Sequence, residues 1–311
     1  MAELKYWRRF FTWFLMLLGF KSRSAAQNIL QIDHPSFLTR YYGFSSSYVA
    51  NRNLEIWLPE SYATSGDKRY PVLYWQDGQN LFDPAVSYNH NPLRMDESVL
   101  ELSAAHMIQD CIIIGIWNTD NRFLEYMPNR FYNALPTSKR KIIKKEYGGE
   151  PMGDNYLKFL TRELKPYIDS NYRTLTDKLN CYIGGASMGG LISFYGLLEF
   201  PQIFGGAICI STHWPISVRR NYKEIPESYF RIIEESKNNL VGSKLYFDHG
   251  TENIDAWYSP YQLRMDQILY SVYQGSSEYL SLKFEGKSHS ELDWRERLGI
   301  PLEFLLSPRR L

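Results

Sequence analysis

Residues 183–190 read IGGASMGG, so a single serine, Ser187, is surrounded by glycine and alanine directly after an apolar run. Because glycine tolerates backbone angles that other residues avoid, this composition predicts a sharp turn. The following segment, LISFYGLLEFP (191–201), has the apolar spacing of a helix. A G-x-S-x-G core between a strand and a helix is the setting of a nucleophile elbow, and we therefore expect Ser187 to be a reactive serine.

Short apolar runs alternate with helix-like segments along the 311-residue chain. Such runs, bounded by turn residues, indicate buried strands of a mostly parallel sheet with helices on both faces. Hydrophobic residues make up 44% of the chain, which is ample for one large core. We therefore predict a single α/β domain over residues 28–311. The predicted parallel strands are YPVLYWQ (70–76), CIIIGIW (111–117), NCYIGG (180–185), GGAICIS (205–211), SKLYFDHG (243–250) and YLSLKFEG (279–286).

The N-terminus has a different character from the rest of the chain. Lys5, Arg8 and Arg9 precede the eleven-residue apolar run FFTWFLMLLGF (10–20), and small residues follow. This is the pattern of a secretory signal, and the run is too short for an ordinary membrane span of about 20 residues. We expect residues 1–27 to be a signal peptide or a short anchor. A periplasmic or secreted location follows from this, with the cytoplasm as the alternative.

Charge and cysteine usage exclude several classes of function. The chain carries 35 lysines and arginines against 34 aspartates and glutamates, for a formal net charge of +1, which argues against a nucleic-acid partner. The locally basic run SKRKIIKKEY (138–147) is interpreted as a solvated face. Cys111, Cys181 and Cys209 lie in or beside apolar runs and are predicted to be buried thiols. No Cys-x-x-Cys pair or Cys/His cluster indicates a metal site.

A reactive serine needs a general base, and His289 is the predicted one. A serine hydroxyl is a weak nucleophile until a base within hydrogen-bond reach accepts its proton. In an α/β-hydrolase sheet the partners follow in the order serine, acid, histidine, on loops at strand ends. His289 lies three residues beyond the run that ends at Gly286, just before a helical segment. His213, which follows the strand after the elbow, is expected to line the site.

The predicted acid lies in the loop TENIDAWYSP (251–260), where Asp255 and Glu252 compete. Asp255 is preferred because it directly precedes the next helical segment. Asp248 is still inside the preceding strand, and we expect its carboxylate to hold the loop in place.

Two backbone amides are predicted to stabilise the oxyanion that forms during attack. One is the N–H of Met188, the residue after the nucleophile. The second should follow an earlier strand, and the run YPVLYWQ continues directly into Asp77-Gly78-Gln79-Asn80. Gly78 allows the backbone to turn, so the amide of Gln79 is the second predicted donor, with an ordinary Asp-Gly turn as the alternative.

Four segments together resemble an α/β-hydrolase family described as "putative esterase". The last of them contains the pattern H-x-E-x-x-W-x-x-R-L, from His289 to Leu298, which is more specific than the serine motif alone. The resemblance spans roughly residues 40–306. The four segments are YPVLYWQDGQNLFD (70–83), NTDNRFLEYMP (118–128), GGASMGG (184–190) and GKSHSELDWRERLGIPLEFLL (286–306).

The resemblance implies the α/β-hydrolase fold, with Ser187 as nucleophile, His289 as base and Gln79 and Met188 as oxyanion donors. It implies no cofactor. The family includes enterochelin and other siderophore esterases, feruloyl and acetylxylan esterases, S-formylglutathione hydrolases and mycolyl transferases. Its acid varies between aspartate and glutamate, and some members act with serine and histidine alone, so the role of Asp255 is left open.

The combined expectation is a serine carboxylic-ester hydrolase that forms an acyl-enzyme on Ser187. Its substrate would be a small-molecule or polysaccharide ester of an exported compartment, such as an acylated carbohydrate or a siderophore. Trp214 and Trp257 lie near predicted loops at the catalytic end and are predicted to stack on substrate, with core or rim packing as the alternative. Arg122 and Glu125 are expected to brace their loop as an ion pair.

Three other functions fit parts of the sequence. An acyltransferase would use the same three catalytic residues and differ only in the acceptor of the acyl group. A non-catalytic carbohydrate-binding relative would keep the fold, although every expected catalytic position is filled here. A serine peptidase on the same fold usually needs a domain that filters peptides, and no such segment is evident.

Overall fold

A mixed sheet forms the centre of the fold. The computed structural model describes residues 28–31 and 38–308, and nine strands within them form one sheet. The predicted leader, residues 1–27, lies outside the described residues. The strands are β1 (Asn28–Gln31), β2 (Leu38–Phe44), β3 (Arg52–Trp57), β4 (Val72–Gln76), β5 (Ile112–Ile116), β6 (Cys181–Ala186), β7 (Gly206–Ile210), β8 (Lys244–Gly250) and β9 (Tyr279–Phe284).

The order of strands across the sheet is β1-β2-β3-β5-β4-β6-β7-β8-β9. The first three strands pair antiparallel, and β3 also runs antiparallel to β5. From β5 to β9 every neighbouring pair is parallel. The order reverses at β4, and ligands of open α/β sheets bind outside the carboxyl ends of strands at such a point. The predicted fold class, a mostly parallel sheet of the α/β-hydrolase type, is confirmed.

Helices fill most connections between the strands. Within the described residues, no helix has both the length and the apolar character needed to cross a membrane. A π turn at Leu160–Leu164 joins two of the helices into one continuous stretch. The helices are α1 (Ser61–Thr64), α2 (Met95–Ala104), α3 (Arg122–Glu125), α4 (Asn129–Ala134), α5 (Thr137–Tyr147), α6 (Gly153–Phe159), α7 (Lys165–Asn171), α8 (Met188–Glu199), α9 (Glu224–Ser236), α10 (Ser259–Tyr273), α11 (Glu291–Arg297) and α12 (Gly299–Leu306).

The sheet separates two hydrophobic clusters, and strand β4 contributes to both. Val72 and Tyr74 belong to the larger cluster, whereas Leu73 and Trp75 belong to the smaller one. This alternation follows from the two-residue period of a strand, which sends successive side chains to opposite faces. A strand that is apolar on both faces is buried on both faces, as the continuous run in the sequence predicts.

Helix α8 lies in the larger cluster and is buried almost completely. Every residue from Met188 to Leu198 is buried. A helix that is apolar around its whole circumference belongs inside a protein, because it has no polar face to present to water. The helix that begins directly after Ser187 is therefore one of the most firmly held elements of the fold.

A buried ion pair fastens the loop after β5 to the sheet. Arg52 on β3 donates to Glu125 on α3 through Nη2–Oε1 at 2.8 Å and Nη1–Oε2 at 3.1 Å. Both side chains are completely buried. The expected pair between Arg122 and Glu125 is therefore wrong: Glu125 turns inward to Arg52, and Arg122 pairs with Asp77 instead. The loop is braced by one ion pair to strand β3 and one to the turn after β4, and not by an ion pair within itself.

A buried histidine, His213, follows β7. Its side chain is fully enclosed, and its Nδ1 shares a hydrogen bond of 2.7 Å with the hydroxyl of Tyr258. Burial lowers the pKa of His213 to about 3, and the positive charge that His289 carries when protonated acts in the same direction. The imidazole of His213 is therefore neutral in the folded protein at any pH near neutrality.

We predict that Glu125→Gln lowers the free energy of unfolding by about 3 kcal/mol or more, because it leaves the buried Arg52 charge uncompensated. Urea unfolding followed by circular dichroism measures this loss. Glu150→Gln is the matched control, since Glu150 pairs with Lys144 where both side chains are exposed. The control should leave the free energy of unfolding nearly unchanged, because solvent-exposed ion pairs contribute little to stability. Equal losses in the two variants would show that burial of the Arg52–Glu125 pair has no energetic weight.

We also predict that His213 makes the protein acid-sensitive. An unfolded histidine has a pKa near 6.5, so below that pH the unfolded chain binds a proton that folded His213 refuses. The contribution of neutral His213 to the free energy of unfolding is therefore complete above pH 6.5 and is lost progressively as the pH falls below this value. Between pH 7 and pH 5 the wild type should lose about 2 kcal/mol more than His213→Gln.

Urea titrations at pH 5, 6 and 7 measure this difference. The control is His106→Gln, which replaces an exposed histidine. The free energy of unfolding of this variant should depend on pH as that of the wild type does. If the pH dependence of His213→Gln runs parallel to that of the wild type, the imidazole of His213 is not excluded from protonation by the fold.

Candidate active site

Ser187 is the one residue between strand β6 and helix α8. Its backbone lies at φ 60° and ψ −124°, a region that residues other than glycine rarely occupy and that is found at functional sites. Its N–H donates to the carbonyl of Ile210 at 2.9 Å. Its carbonyl accepts from the N–H groups of Leu191 and His213, at 3.1 and 3.2 Å. Backbone hydrogen bonds on both sides therefore hold the strained turn.

The glycines around Ser187 are required by close approach of backbones. A Cβ on Gly185 would lie 2.8 Å from the carbonyl carbon of Gly189, a distance that real side chains do not reach. The turn after β4 shows the same constraint, because a Cβ on Gly78 would lie 2.2 Å from the carbonyl carbon of Gly115. The small residues at both turns therefore let helix α8 pack closely on the end of β6 and let the turn after β4 approach strand β5.

His289 and Asp255 meet, although 34 residues separate them in the chain. His289 lies in the loop between β9 and α11, and Asp255 lies in a 3₁₀ turn, Asn253–Trp257, that follows β8. The distance from His289 Nδ1 to Asp255 Oδ1 is 2.6 Å. The structure thus places Asp255 beside the histidine, whereas Glu252 is exposed at the start of the turn.

The Asp255 carboxylate is fully buried and is surrounded by donors. Its second oxygen, Oδ2, accepts from the N–H of Gly250 and from the hydroxyl of Ser211, each at 2.7 Å. Burial alone would raise its pKa, but the hydrogen bonds from His289, Ser211 and Gly250 prevail and hold the pKa of Asp255 below its ordinary value. The carboxylate is therefore ionised at neutral pH.

Two aromatic rings fix the plane of the His289 imidazole. The ring of Trp294 packs edge-on with centroids 4.8 Å apart and an interplanar angle of 81°. The ring of Tyr258 does the same at 5.9 Å and 75°. Edge-to-face contacts of this kind stabilise one orientation of an aromatic pair over others. The imidazole is thus oriented by packing as well as by its bond to Asp255.

Ser187 and His289 line one cavity of about 650 Å³, which opens at the carboxyl ends of β4 and β6. A cavity of this size accommodates a small-molecule ligand. Gln79 lies in the same wall. The wall also includes aromatic side chains (Trp75, Tyr88, Phe123 and Trp294) and polar ones (Asp77, Asn80, Asn118, Arg122 and Glu291).

Both predicted oxyanion donors occupy the first residues of helical turns. Met188 begins α8, and Gln79 is the second residue of the 3₁₀ turn Gly78–Asn80. The first N–H groups of a helix have no acceptor within it. Gln79 lines the cavity, whereas Met188 is buried beside Ser187 and is not among the residues of the cavity wall. The N-terminus of the twelve-residue α8 also favours negative charge through the helix dipole.

The turn that carries Gln79 is braced through Asp77, which has a left-handed backbone with φ 58°. Arg122 holds the Asp77 carboxylate with Nε–Oδ1 at 2.7 Å and Nη2–Oδ2 at 2.8 Å. Asn118 donates its side-chain amide to Asp77 at 2.6 Å and its backbone N–H to Gln79 Oε1 at 3.2 Å. The segment after β5 therefore fixes the position of the turn after β4.

Arg122, Glu291 and Tyr88 line the cavity although sequence reasoning did not assign them to the site. Glu291 belongs to the H-x-E pattern, and Arg122 belongs to the segment NTDNRFLEYMP after β5. Both residues could therefore have been proposed as site residues from these two motifs. Burial raises the pKa of Glu291 above its ordinary value, and the charge of Asp77 acts in the same direction. Tyr88 belongs to a loop with no recognisable pattern, and its side chain is 63% exposed at the cavity.

The two tryptophans predicted to contact substrate lie outside the cavity wall. Trp214 is fully buried, donates its Nε1–H to Gln262 at 3.2 Å and packs against Phe194 and Phe247. Trp257 is half-buried in the 3₁₀ turn that contains Asp255. The chain after β7 folds inward against α8, which explains why Trp214 became part of the core.

The other predicted residues have structural surroundings. Asp248, on strand β8, forms an ion pair with Arg297 on α11, with 3.1 Å between Asp248 Oδ1 and Arg297 Nη2. Cys111, Cys181 and Cys209 are buried free thiols. In the part of the chain that the structure describes, no group of three or more His, Cys, Asp and Glu side chains has an arrangement that would hold a metal ion.

Comparison with known proteins identifies relatives of this chain and solved structures with a similar fold. An uncharacterized protein of Bacillus subtilis (strain 168), YbbA, is 32% identical over 171 residues, which is 55% of this chain and 60% of that relative. A ferulic acid esterase structure is 20% identical, covers 87% of this chain and 98% of its own, and superposes with a TM-score of 0.63. The enterobactin esterase FES from Shigella flexneri is 16% identical with a TM-score of 0.57, over 89% of this chain and 60% of its own.

The two solved structures share the fold of this chain. At 20% and 16% sequence identity, they are evidence for the fold alone. The family evidence is more direct. The family described as "Putative esterase" matches residues 45–298, which is most of the chain. On that match, and on a fold shared with solved esterases, the chain belongs to the "Putative esterase" family.

Proposed function

We propose that this protein is a serine carboxylic-ester hydrolase that works through an acyl-enzyme on Ser187. His289 is the general base and Asp255 is the acid that orients it. The observation that carries the proposal is the 2.6 Å bond between His289 and the buried Asp255, made at the cavity into which the Ser187 turn opens. A nucleophile, a base and an orienting acid in this relation are the parts that acyl transfer requires.

The first half of the reaction forms the acyl-enzyme. Ser187 Oγ attacks the ester carbonyl carbon while His289 Nε2 accepts the hydroxyl proton. Asp255 accepts the Nδ1–H of His289 and stabilises the imidazolium that results. The N–H groups of Gln79 and Met188 hold the negative oxygen of the tetrahedral intermediate. His289 then gives the proton to the leaving alcohol as the carbon–oxygen bond breaks.

The second half releases the acid. A water molecule loses a proton to His289 and attacks the acyl carbonyl, and the same two amides hold the second oxyanion. The intermediate collapses with return of the proton to Ser187 Oγ, which restores the free enzyme. No cofactor takes part in this sequence, since every proton and electron pair is supplied by substrate, water or the three side chains.

The substrate that fits this site is a small ester with an acyl or alcohol group that packs on aromatic rings. Tyr88, Phe123 and Trp294 contribute ring surface to the cavity, and Arg122 and Asn118 contribute polar groups. Solved proteins of similar fold are named a ferulic acid esterase and an enterobactin esterase. We extend the proposal to an acylated carbohydrate or a siderophore ester in an exported compartment, in agreement with the leader-like N-terminus.

The proposal is tested with Ser187→Ala, His289→Ala and the double variant, assayed on p-nitrophenyl acetate and methyl ferulate. Each single variant should lower kcat by about 10³-fold or more, and the double variant should fall little further, because the two residues act as one unit. Asp255→Asn should lower kcat by about 10³- to 10⁴-fold. Its matched control, Glu252→Gln in the same turn, should stay close to wild type.

Two results would contradict the proposal. If Ser187→Ala kept full activity, Ser187 would not be the nucleophile. If Glu252→Gln lost more activity than Asp255→Asn, Glu252 and not Asp255 would be the acid. Identification of the products, with and without an added sugar alcohol as acceptor, separates hydrolysis from transfer of the acyl group.

A further inference from the structure

Ser211 is completely buried, and its hydroxyl lies beside the Asp255 oxygen that does not face His289. It lies 2.7 Å from Asp255 Oδ2, 3.0 Å from Trp294 Nε1 and 3.0 Å from Arg297 Nη2. Ser211 directly follows β7, whereas Trp294 and Arg297 are three residues apart on helix α11. Three groups from two distant elements therefore meet at one hydroxyl.

The chemistry of these groups leaves only one arrangement of protons. A serine hydroxyl has one proton to donate and two lone pairs that accept. An indole Nε1–H and a guanidinium can only donate. Trp294 and Arg297 therefore occupy both lone pairs of Ser211, and the single hydroxyl proton must be donated to Asp255. Unlike an ordinary serine, Ser211 has no second orientation with equal hydrogen bonding.

We propose that Ser211 is a positioning residue, which fixes the Asp255 carboxylate so that His289 carries its proton on Nδ1. This inference rests on the proposed function. With Ser211 and the Gly250 N–H bound to Oδ2, the other oxygen, Oδ1, faces the imidazole. A proton held on Nδ1 leaves Nε2 with the lone pair that accepts the Ser187 proton.

The surroundings of Ser211 hold it in place. Its backbone has a left-handed φ of 44°, and its N–H donates to the carbonyl of Asp248 at 2.9 Å. Arg297 is itself held by Asp248, with Nη2–Oδ1 at 3.1 Å and Nε–Oδ2 at 3.2 Å. Tyr246 donates its hydroxyl to the same carboxylate at 2.8 Å. The network gives Asp248 a defined role, since it aims Arg297 at Ser211.

The same network explains the spacing of the H-x-E-x-x-W-x-x-R pattern. Trp294 packs edge-to-face with the His289 ring and donates its Nε1–H to Ser211. Arg297, one helical turn later on the same face, donates to the same hydroxyl. Helix α11 therefore supports His289 directly and through Asp255, so that one short helix fixes both members of the pair.

The test is Ser211→Ala, which removes the donor to Asp255 and leaves every charged group near His289 in place. Those groups are Asp255 after β8, His213 after β7, Glu291 on α11, and Asp77 with Arg122 across the cavity. The matched control is Thr212→Val, which deletes the neighbouring buried hydroxyl; that hydroxyl donates only to the Cys209 carbonyl, at 3.3 Å.

Ser211→Ala should lower kcat by about 10- to 100-fold with KM nearly unchanged, because a small misplacement of the reacting groups slows the chemical step and leaves substrate binding in place. The acid limb of its pH–rate profile should move to higher pH, because Asp255 with one donor fewer attracts the His289 proton more strongly. Thr212→Val should keep the wild-type kcat within about threefold and the wild-type limb. Unchanged kcat and an unmoved limb in Ser211→Ala would overturn the inference.

A second measurement does not depend on activity. The proton that His289 Nδ1 shares with Asp255 should give a downfield proton NMR signal, assigned by its loss in Asp255→Asn. The signal should be present in the wild type and in Thr212→Val, and it should shift or broaden in Ser211→Ala. An identical signal in Ser211→Ala would overturn the inference even if no ester were cleaved, whereas a wild type without Ser187-dependent activity would overturn the proposed function alone.

Should Ser211→Ala fail to fold, Ser211→Cys serves in both measurements. The thiol is a weaker donor than the hydroxyl, so the shifts should have the same direction and smaller size. A Ser211→Cys protein that matched the wild type in both measurements would count against Ser211 as the positioning residue.

Discussion

The structure depends on one strained residue, Ser187, held at φ 60° and ψ −124° between a buried strand and a buried helix. Such a conformation costs about 1–3 kcal/mol and persists only where the surroundings impose it. Here the carbonyl of Ile210 on β7, the amide of Leu191 on α8 and the amide of His213 impose it together. Three further features stabilise this turn. They are the glycines that flank the serine, the burial of α8 and the central position of β6 in the sheet.

The second requirement is that loops from separate strands reach the same turn, and buried polar contacts meet it. Arg52 with Glu125 fastens the segment after β5, which in turn holds the Gln79 turn through Arg122 and Asp77. Asp255 fastens the loop after β8 to the His289 loop. Each contact replaces water that the buried groups have lost, so removal of one partner is costly. The carboxyl end of the sheet is thus held together by ion pairs and hydrogen bonds of buried and half-buried charged groups.

The sequence predicted the features that depend on local chemistry and on strand order. The parallel strands, the turn at Ser187 and the fold class follow from apolar runs and glycine spacing, and the structure agrees. The partners of charged groups did not follow, because Arg122 and Glu125 are neighbours in the chain yet pair with Asp77 and Arg52 on other elements. Trp214 was predicted to lie near a loop of the site, because no sequence pattern indicates that the chain after β7 turns inward and buries this side chain. The roles of Ser187, His289, Asp255, Gln79 and Met188 remain proposals that their geometry supports.

We propose that Ser187 is the single activated nucleophile of this protein. Labelling with a fluorophosphonate, followed by intact mass spectrometry and peptide mapping, tests it most directly because the reagent reports nucleophilicity without knowledge of the substrate. We expect one adduct per chain, located on Ser187, with labelling that is far slower when the His289 imidazole is removed. An adduct on another residue, or a protein that stays unlabelled under conditions that modify a known serine esterase, would contradict it.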